Sequence, residues 1–275
     1  RVVRLNIRVV TLKGWVAAIL IAAFAGGCGG GSGGSTNTAT TAGPAPATVP
    51  TTADFALLFM GNSHTAVNNV PVMVAAMVRA GKPGKTVAEV QAPGSLFLDQ
   101  RVNDAATLSL LRSQNWSYVI LQAQQYSTSG QFLYSTSEAA DLVRLSRRQN
   151  AVPVMFPEWP RRGINETQRI FDVHLSIARN EPVCVSPIPQ AWYLALARHP
   201  TLTLHAADGN HSVPAGACLA ALVLYATIPG QSPSDLPVLP ELGVDADTQA
   251  KLRGVATEAV QTISPRLYCP NDRVG

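Results

Sequence analysis

Phe55-Ala56-Leu57-Leu58-Phe59-Met60 is an unbroken apolar run that ends on the polar turn Gly61-Asn62-Ser63-His64-Thr65. Six apolar residues without alternation suit a strand buried on both faces, as in a parallel sheet. Four further runs follow at 86–91 (TVAEVQ), 117–122 (SYVILQ), 152–156 (VPVMF) and 182–187 (PVCVSP), spaced about every 30 residues. Helical patterning covers 68–80, 97–114, 132–149 and 165–180 between them, and then 190–198, 213–227 and 245–263. Strand alternating with helix predicts an α/β fold. The specific expectation is a flavodoxin-like three-layer α/β/α sandwich with a mostly parallel five-stranded sheet. The Pro-rich stretch 229–240 (PGQSPSDLPVLP) reads as a surface loop before the last helix.

Working outward, the 275 residues carry 21 Lys+Arg and 17 Asp+Glu, a formal charge of +4. Arg1, Arg4, Arg8 and Lys13 all precede the first acid, Asp54, so from there on bases and acids are equal at 17 each. A balanced body offers no clustered basic face for phosphates, which excludes nucleic acid as the expected partner. The four bases introduce an apolar run, Gly14 to Ala25, of about a dozen residues, too short to span a ~30 Å hydrocarbon core. Residues 1–27 therefore read as a signal peptide. Ala25-Gly26-Gly27-Cys28 is similar to a bacterial lipobox, with Ala25 where a larger aliphatic residue is usual, so Cys28 is the expected lipidation site. Residues 28–53, all small or polar apart from scattered Ala, Val and Pro and without a charge, read as a low-complexity tether. The folded domain is then 54–275. The expected location is extracytoplasmic, on the membrane through a lipid anchor in the periplasm or outer membrane, with secretion as the alternative.

Cys184, Cys218 and Cys269 remain, an odd number with neither a CxxC pair nor metal-like spacing, so neither a metal site nor a cofactor is expected. An exported compartment permits one bridge and one free thiol, and the three pairings stay open at this level.

In an open α/β sheet the ligand sits beyond the carboxyl ends of the strands. The residues there are Gly61 to Thr65, Pro93-Gly94-Ser95, Gln122 to Gln125, Glu158-Trp159 and, one helix after the last strand, Asp208-Gly209-Asn210-His211. Ser63 is a hydroxyl exposed at the sheet edge. Asp208 and His211 are spaced so that a short turn sets the carboxylate against one imidazole nitrogen and leaves the other for Ser63, the logic of a nucleophile, base and orienting acid. No G-x-S-x-G elbow occurs within 54–275, which argues against an ordinary α/β-hydrolase.

The chain resembles the SGNH hydrolase superfamily, the GDSL esterases and lipases, in Gly61-Asn62-Ser63 after the first strand and in Asp208-x-x-His211 near the C-terminus, about 145 residues on. The resemblance covers nearly all of 54–264. It implies that Ser63 is the nucleophile, His211 the base and Asp208 its orienting acid, and that the oxyanion is held by the N–H groups of Ser63 and Gly94 and by a side-chain amide after the third strand. The usual G-x-N-D loop is absent there, so Gln122 or Gln124 is expected to supply that amide. Asn62, His64, Glu158 and Trp159 are the expected substrate-binding residues, with His64 a pocket wall rather than a second base. The implied activity is hydrolysis of an O-acyl ester, a small molecule or an acetylated carbohydrate, through an acyl-enzyme. An acyltransferase on a sugar acceptor and a non-catalytic binding lipoprotein are the alternatives. Gly81 to Thr86 ends like a phosphate loop, but Arg79 stands where that motif needs glycine and a strand follows, so it is rejected.

Overall fold

A computed structural model describes residues 52–275. The expected signal peptide, Cys28 and nearly all of the 28–53 tether lie outside them. The first apolar run forms β1 (Phe55–Met60), every residue of it buried. It is followed by a single turn of helix, α1 (Ser63–Ala66), and by α2 (Val70–Gly81). Next come β2 (Val87–Gln91), α3 (Leu98–Arg101), α4 (Ala105–Arg112), β3 (Tyr118–Gln122), α5 (Ser137–Arg148) and β4 (Val152–Phe156). The chain continues through α6 (Thr167–Asn180), β5 (Cys184–Val185), α7 (Ile188–Arg198), α8 (Pro214–Thr227) and α9 (Ala246–Thr262). The five strands lie in the order β2-β1-β3-β4-β5, and every pairing is parallel. That is the flavodoxin-like order, with both neighbours of β1 reached by crossover helices.

Successive side chains of a strand face opposite ways, so each central strand supplies two cores. Phe55, Leu57 and Phe59 of β1 join Tyr118, Ile120, Val154 and Phe156 in a cluster with α2, α7, α8 and α9. Ala56, Leu58 and Met60 join Val119, Leu121 and Met155 in a second cluster with α5, α6 and Leu111 of α4. The sheet is thus covered on both faces, and α8, apolar around nearly its whole circumference, is buried from Gly216 to Thr227.

Three sequence expectations shift, each for a local reason. The stretch 97–114 is two helices, because the Asp104 carboxylate accepts the Thr107 N–H and caps a new start. The fifth strand shrinks to Cys184–Val185, since Pro182 and Pro187 can donate nothing to a ladder. Its outer edge is covered instead: the Val185 N–H donates to Pro265 O, and Cys184 is disulfide-bonded to Cys269, leaving Cys218 free and buried. The stretch 229–240 is no plain surface loop. It carries a short 3₁₀ turn, Pro233–Asp235, with another at Pro240–Leu242, and Leu236, Leu239 and Leu242 are buried in the α2/α8/α9 core.

Candidate active site

Ser63 is the first residue of α1, and Asn62 before it caps that turn by accepting the His64 N–H on Oδ1 at 3.0 Å. The approach is close. A Cβ on Gly61 would collide with the Thr65 side chain and lie 2.7 Å from Gln122 Oε1, so only glycine lets the strand turn here.

Asp208 and His211 come from a narrow hairpin in front of α8. An antiparallel bridge pairs His205 with Ser212, the Ala206 N–H donates to His211 O at 2.8 Å, and the Val213 N–H donates to Leu204 O at 2.9 Å. Distant residues hold the hairpin in place. Trp159 Nε1 donates to Asn210 O at 2.8 Å, the Arg162 N–H to Gly209 O at 2.8 Å, and Asn68 Nδ2 to Ser212 O at 2.8 Å. The last of these ties the connection after α1 to the hairpin, across 144 residues of sequence.

The resulting contacts form a chain of three side chains. His211 Nε2 lies 2.9 Å from Ser63 Oγ, and His211 Nδ1 lies 2.5 Å from Asp208 Oδ2. Asp208 Oδ1 accepts the N–H groups of Asn210 (2.9 Å) and His211 (3.0 Å). A carboxylate accepts and does not donate, so Nδ1 carries the proton and Nε2 is left to accept from Ser63. The His211 side chain, with those two N–H groups, holds the Asp208 carboxyl well below the usual carboxylate range, so it stays charged beside the imidazole.

His64 is 6% exposed, its ring 5.4 Å from that of His211 and 4.9 Å from that of Trp159. Burial lowers its pKa to about 4, so it stands as a neutral wall beside His211. Trp159 stacks in turn on Trp192, which meets His205 edge-on, so a continuous row of rings backs the site. His205 is accordingly buried.

The Ser63 and Gly94 N–H groups donate to no acceptor among the described residues, and Gly94 has a φ of +78°, a backbone that disfavours other residues. The two glutamines require a correction. Gln122 is 0% exposed, its Nε2 donating to Glu158 Oε2 at 3.0 Å and its Oε1 accepting the Asn62 N–H at 2.9 Å and the Thr65 hydroxyl at 3.0 Å. Gln124 Nε2 donates to Gln125 O and to Ser135 O, both at 2.9 Å. Neither amide is free to meet an oxyanion: Gln122 is a strut beneath the Ser63 turn, and Gln124 is tied to the next loop. The side-chain amide beside Ser63 with no acceptor among the described residues is that of Asn62, which lines a shallow cavity with Gly94.

Glu158 is likewise a part of the frame. Its burial raises its pKa to about 7, opposed by Arg161 and by the Gln122 amide. Sequence reasoning missed Arg101, which is 0% exposed beneath the loops after β1 and β2. Its sequence signal is slight, one arginine inside an otherwise ordinary helical stretch. Among the described residues, Cys184, Cys269 and Asp272 are the ligand types close enough together for a metal, but the two sulfurs are spent on the disulfide.

The sequence matches no family model and no curated protein. Solved structures do match. A protein from Slackia heliotrinireducens assigned to the SGNH hydrolases shares 24% identity at a TM-score of 0.52, covering 63% of this chain and 98% of that one. The chain has an SGNH hydrolase-like fold. A DUF4886 family protein from Bacteroides uniformis aligns at a TM-score of 0.59 with 16% identity, covering 77% of this chain and 96% of that one. On this SGNH-like frame Ser63 follows the first strand and Asp208 and His211 precede α8, while the loop after β3 departs by turning its glutamines inward.

Proposed function

We propose that this protein is a serine esterase that hydrolyses O-acyl esters through an acyl-enzyme on Ser63. The observation that carries the reading is the 2.9 Å contact between Ser63 Oγ and His211 Nε2, with Nδ1 held by Asp208. His211 accepts the hydroxyl proton as Oγ attacks the ester carbonyl, and Asp208 steadies the imidazolium that forms. The negative charge that develops on the carbonyl oxygen meets the N–H groups of Ser63 and Gly94, with Asn62 Nδ2 as the third donor. His211 then returns its proton to the departing alcohol. Water, deprotonated by the same nitrogen, attacks the acyl-serine, and the acid leaves with Ser63 restored.

A cavity of about 560 Å³ beyond β3 and β4 supports space for the remainder of the substrate. Phe97, Tyr126, Phe132 and Tyr134 supply aromatic surface there, and Arg161 supplies a cation, a mixture suited to an acylated carbohydrate. The Cys184–Cys269 bridge supports an oxidising compartment, in keeping with the export signal and a lipid anchor at Cys28.

The test is hydrolysis of p-nitrophenyl acetate by the protein and by its Ser63→Ala and His211→Ala variants, together with fluorophosphonate labelling. Turnover and labelling lost in Ser63→Ala are the expected result. Equal rates in all three proteins would sink the esterase reading in favour of a binding lipoprotein, and product analysis with a sugar acceptor present separates hydrolysis from acyl transfer.

A further inference from the structure

We infer that Arg101 is a positioning residue that aims the Gly94 N–H directly and fixes the peptide immediately before the one that carries the Ser63 N–H. The inference rests on the esterase reading and goes beyond it. Arg101 closes α3, and its guanidinium meets no carboxylate at ion-pair distance. Nη2 donates to Gly61 O at 2.6 Å and to Gly94 O at 2.9 Å, while Nη1 donates to Pro93 O at 3.2 Å and to the Thr107 hydroxyl at 3.0 Å. The nearest acid acting on it is Asp104, through space only, and Nε is buried without a partner. A fully buried cation matched only to neutral oxygens is an expensive way to fill a core, because desolvation is not recovered by an opposite charge.

The carbonyls it binds account for its presence. In a trans peptide the C=O and N–H point in opposite directions, and no cis bond occurs among the described residues. Holding Pro93 O toward Arg101 therefore turns the Gly94 N–H away from it. The Gly61–Asn62 peptide is clamped at both ends, its oxygen by Arg101 and its N–H by Gln122 Oε1. Ser63 follows directly. One rigid planar fork thus joins the loop that carries the nucleophile to the loop that carries the second donor, and sets the spacing between the Ser63 and Gly94 N–H groups. It also leaves a positive charge behind the place where the oxyanion forms. A lysine has no such fork and could reach one carbonyl rather than three.

An oxyanion exists in the transition state and not in the bound ester, so this contribution falls on kcat rather than KM. Arg101→Lys and Arg101→Met are measured with p-nitrophenyl acetate beside the wild type. The expected result is a kcat lower by about 10²-fold with KM within about twofold. A boronic acid that becomes tetrahedral on Ser63 should lose affinity by a similar factor. Thr107→Val, which removes the side-chain acceptor that shares Nη1 with Pro93 O, should lower kcat about threefold with KM unmoved, and this milder change keeps the test open if the Arg101 variants do not fold. A wild-type kcat in Arg101→Lys, or a kcat and KM that move together, would overturn the inference while leaving the esterase reading intact. A wild type no faster than Ser63→Ala would remove both.

Discussion

Asp208 and His211 lie on an open hairpin, their side chains 49% and 30% exposed, three residues apart and linked to each other within one turn. Ser63 is held from below by Gln122, Glu158 and Arg101, each 9% exposed or less, drawn from positions 38 to 95 residues away in the chain. One half of the site is an exposed turn linked within itself and pinned from outside by Trp159, Arg162 and Asn68; the other is dry and assembled from buried residues far apart in the chain. On the proposed esterase reading His211 must move a proton while products leave, which suits an exposed turn, and the Ser63 N–H must meet a charge at a fixed place, which demands a rigid surround.

Experiments can break or sharpen this contrast. The largest loss belongs to the two residues where the halves touch: Ser63→Ala or His211→Ala should lower kcat on ester substrates by as much as ~10⁶-fold, read by stopped assays at high enzyme. Asp208→Asn comes next, at about 10⁴-fold. It keeps an oxygen for the two backbone N–H groups, so a melting temperature close to wild type should accompany the loss and mark the hairpin as a chemical rather than a structural element. Gln122→Leu should instead cost stability and activity together. It strands the Asn62 N–H, the Thr65 hydroxyl and the Glu158 carboxyl, so denaturant unfolding should report at least 1–3 kcal/mol of destabilisation and kcat should drop about 10²-fold.

A smaller effect separates the halves by pH. The Glu158 pKa, near 4.5 when exposed, stands at about 7 in the fold, so the fold favours the protonated acid. Its contribution is fully present below about 4.5 and is lost as pH rises through about 7. His64 acts with the opposite pH slope, since a pKa lowered from 6.5 to about 4 costs stability as pH falls across that interval. The two windows overlap and oppose, so chemical denaturation of Glu158→Gln against wild type should remove the decline toward pH 7 and unmask, between about 4.5 and 6.5, the rise of stability with pH that His64 contributes. The smallest effect is Ala123→Gly. Ala123 holds a φ of +78° in the loop after β3, and relief of that strain, set against glycine's added freedom, should move stability by under about 1 kcal/mol.

The contrast also explains what could be read in advance. Ser63 and the Asp208/His211 pair were legible because their residue types and short spacing carry the chemistry, and the strand-end rule located them. The sheet was legible where strands are apolar throughout, as in β1, β3 and β4, and blurred where a proline or a capping aspartate decides the boundary, as at Pro187 and Asp104. Gln122 was correctly sited after β3 and wrongly employed. Which way its amide turns depends on Glu158, 36 residues later, and on the Asn62 N–H, 60 residues earlier, and no local pattern encodes either. Arg101 is illegible for the same reason.

The bridge between Cys184 and Cys269 closes a covalent loop of 85 residues, and Asp208 and His211 lie inside it while Ser63 lies outside. A protease that cuts the backbone once anywhere within that loop, including the turns around α8, leaves both fragments joined through sulfur. The Asp208/His211 turn therefore stays covalently joined to the part of the chain that carries Ser63 after any single cut within that loop.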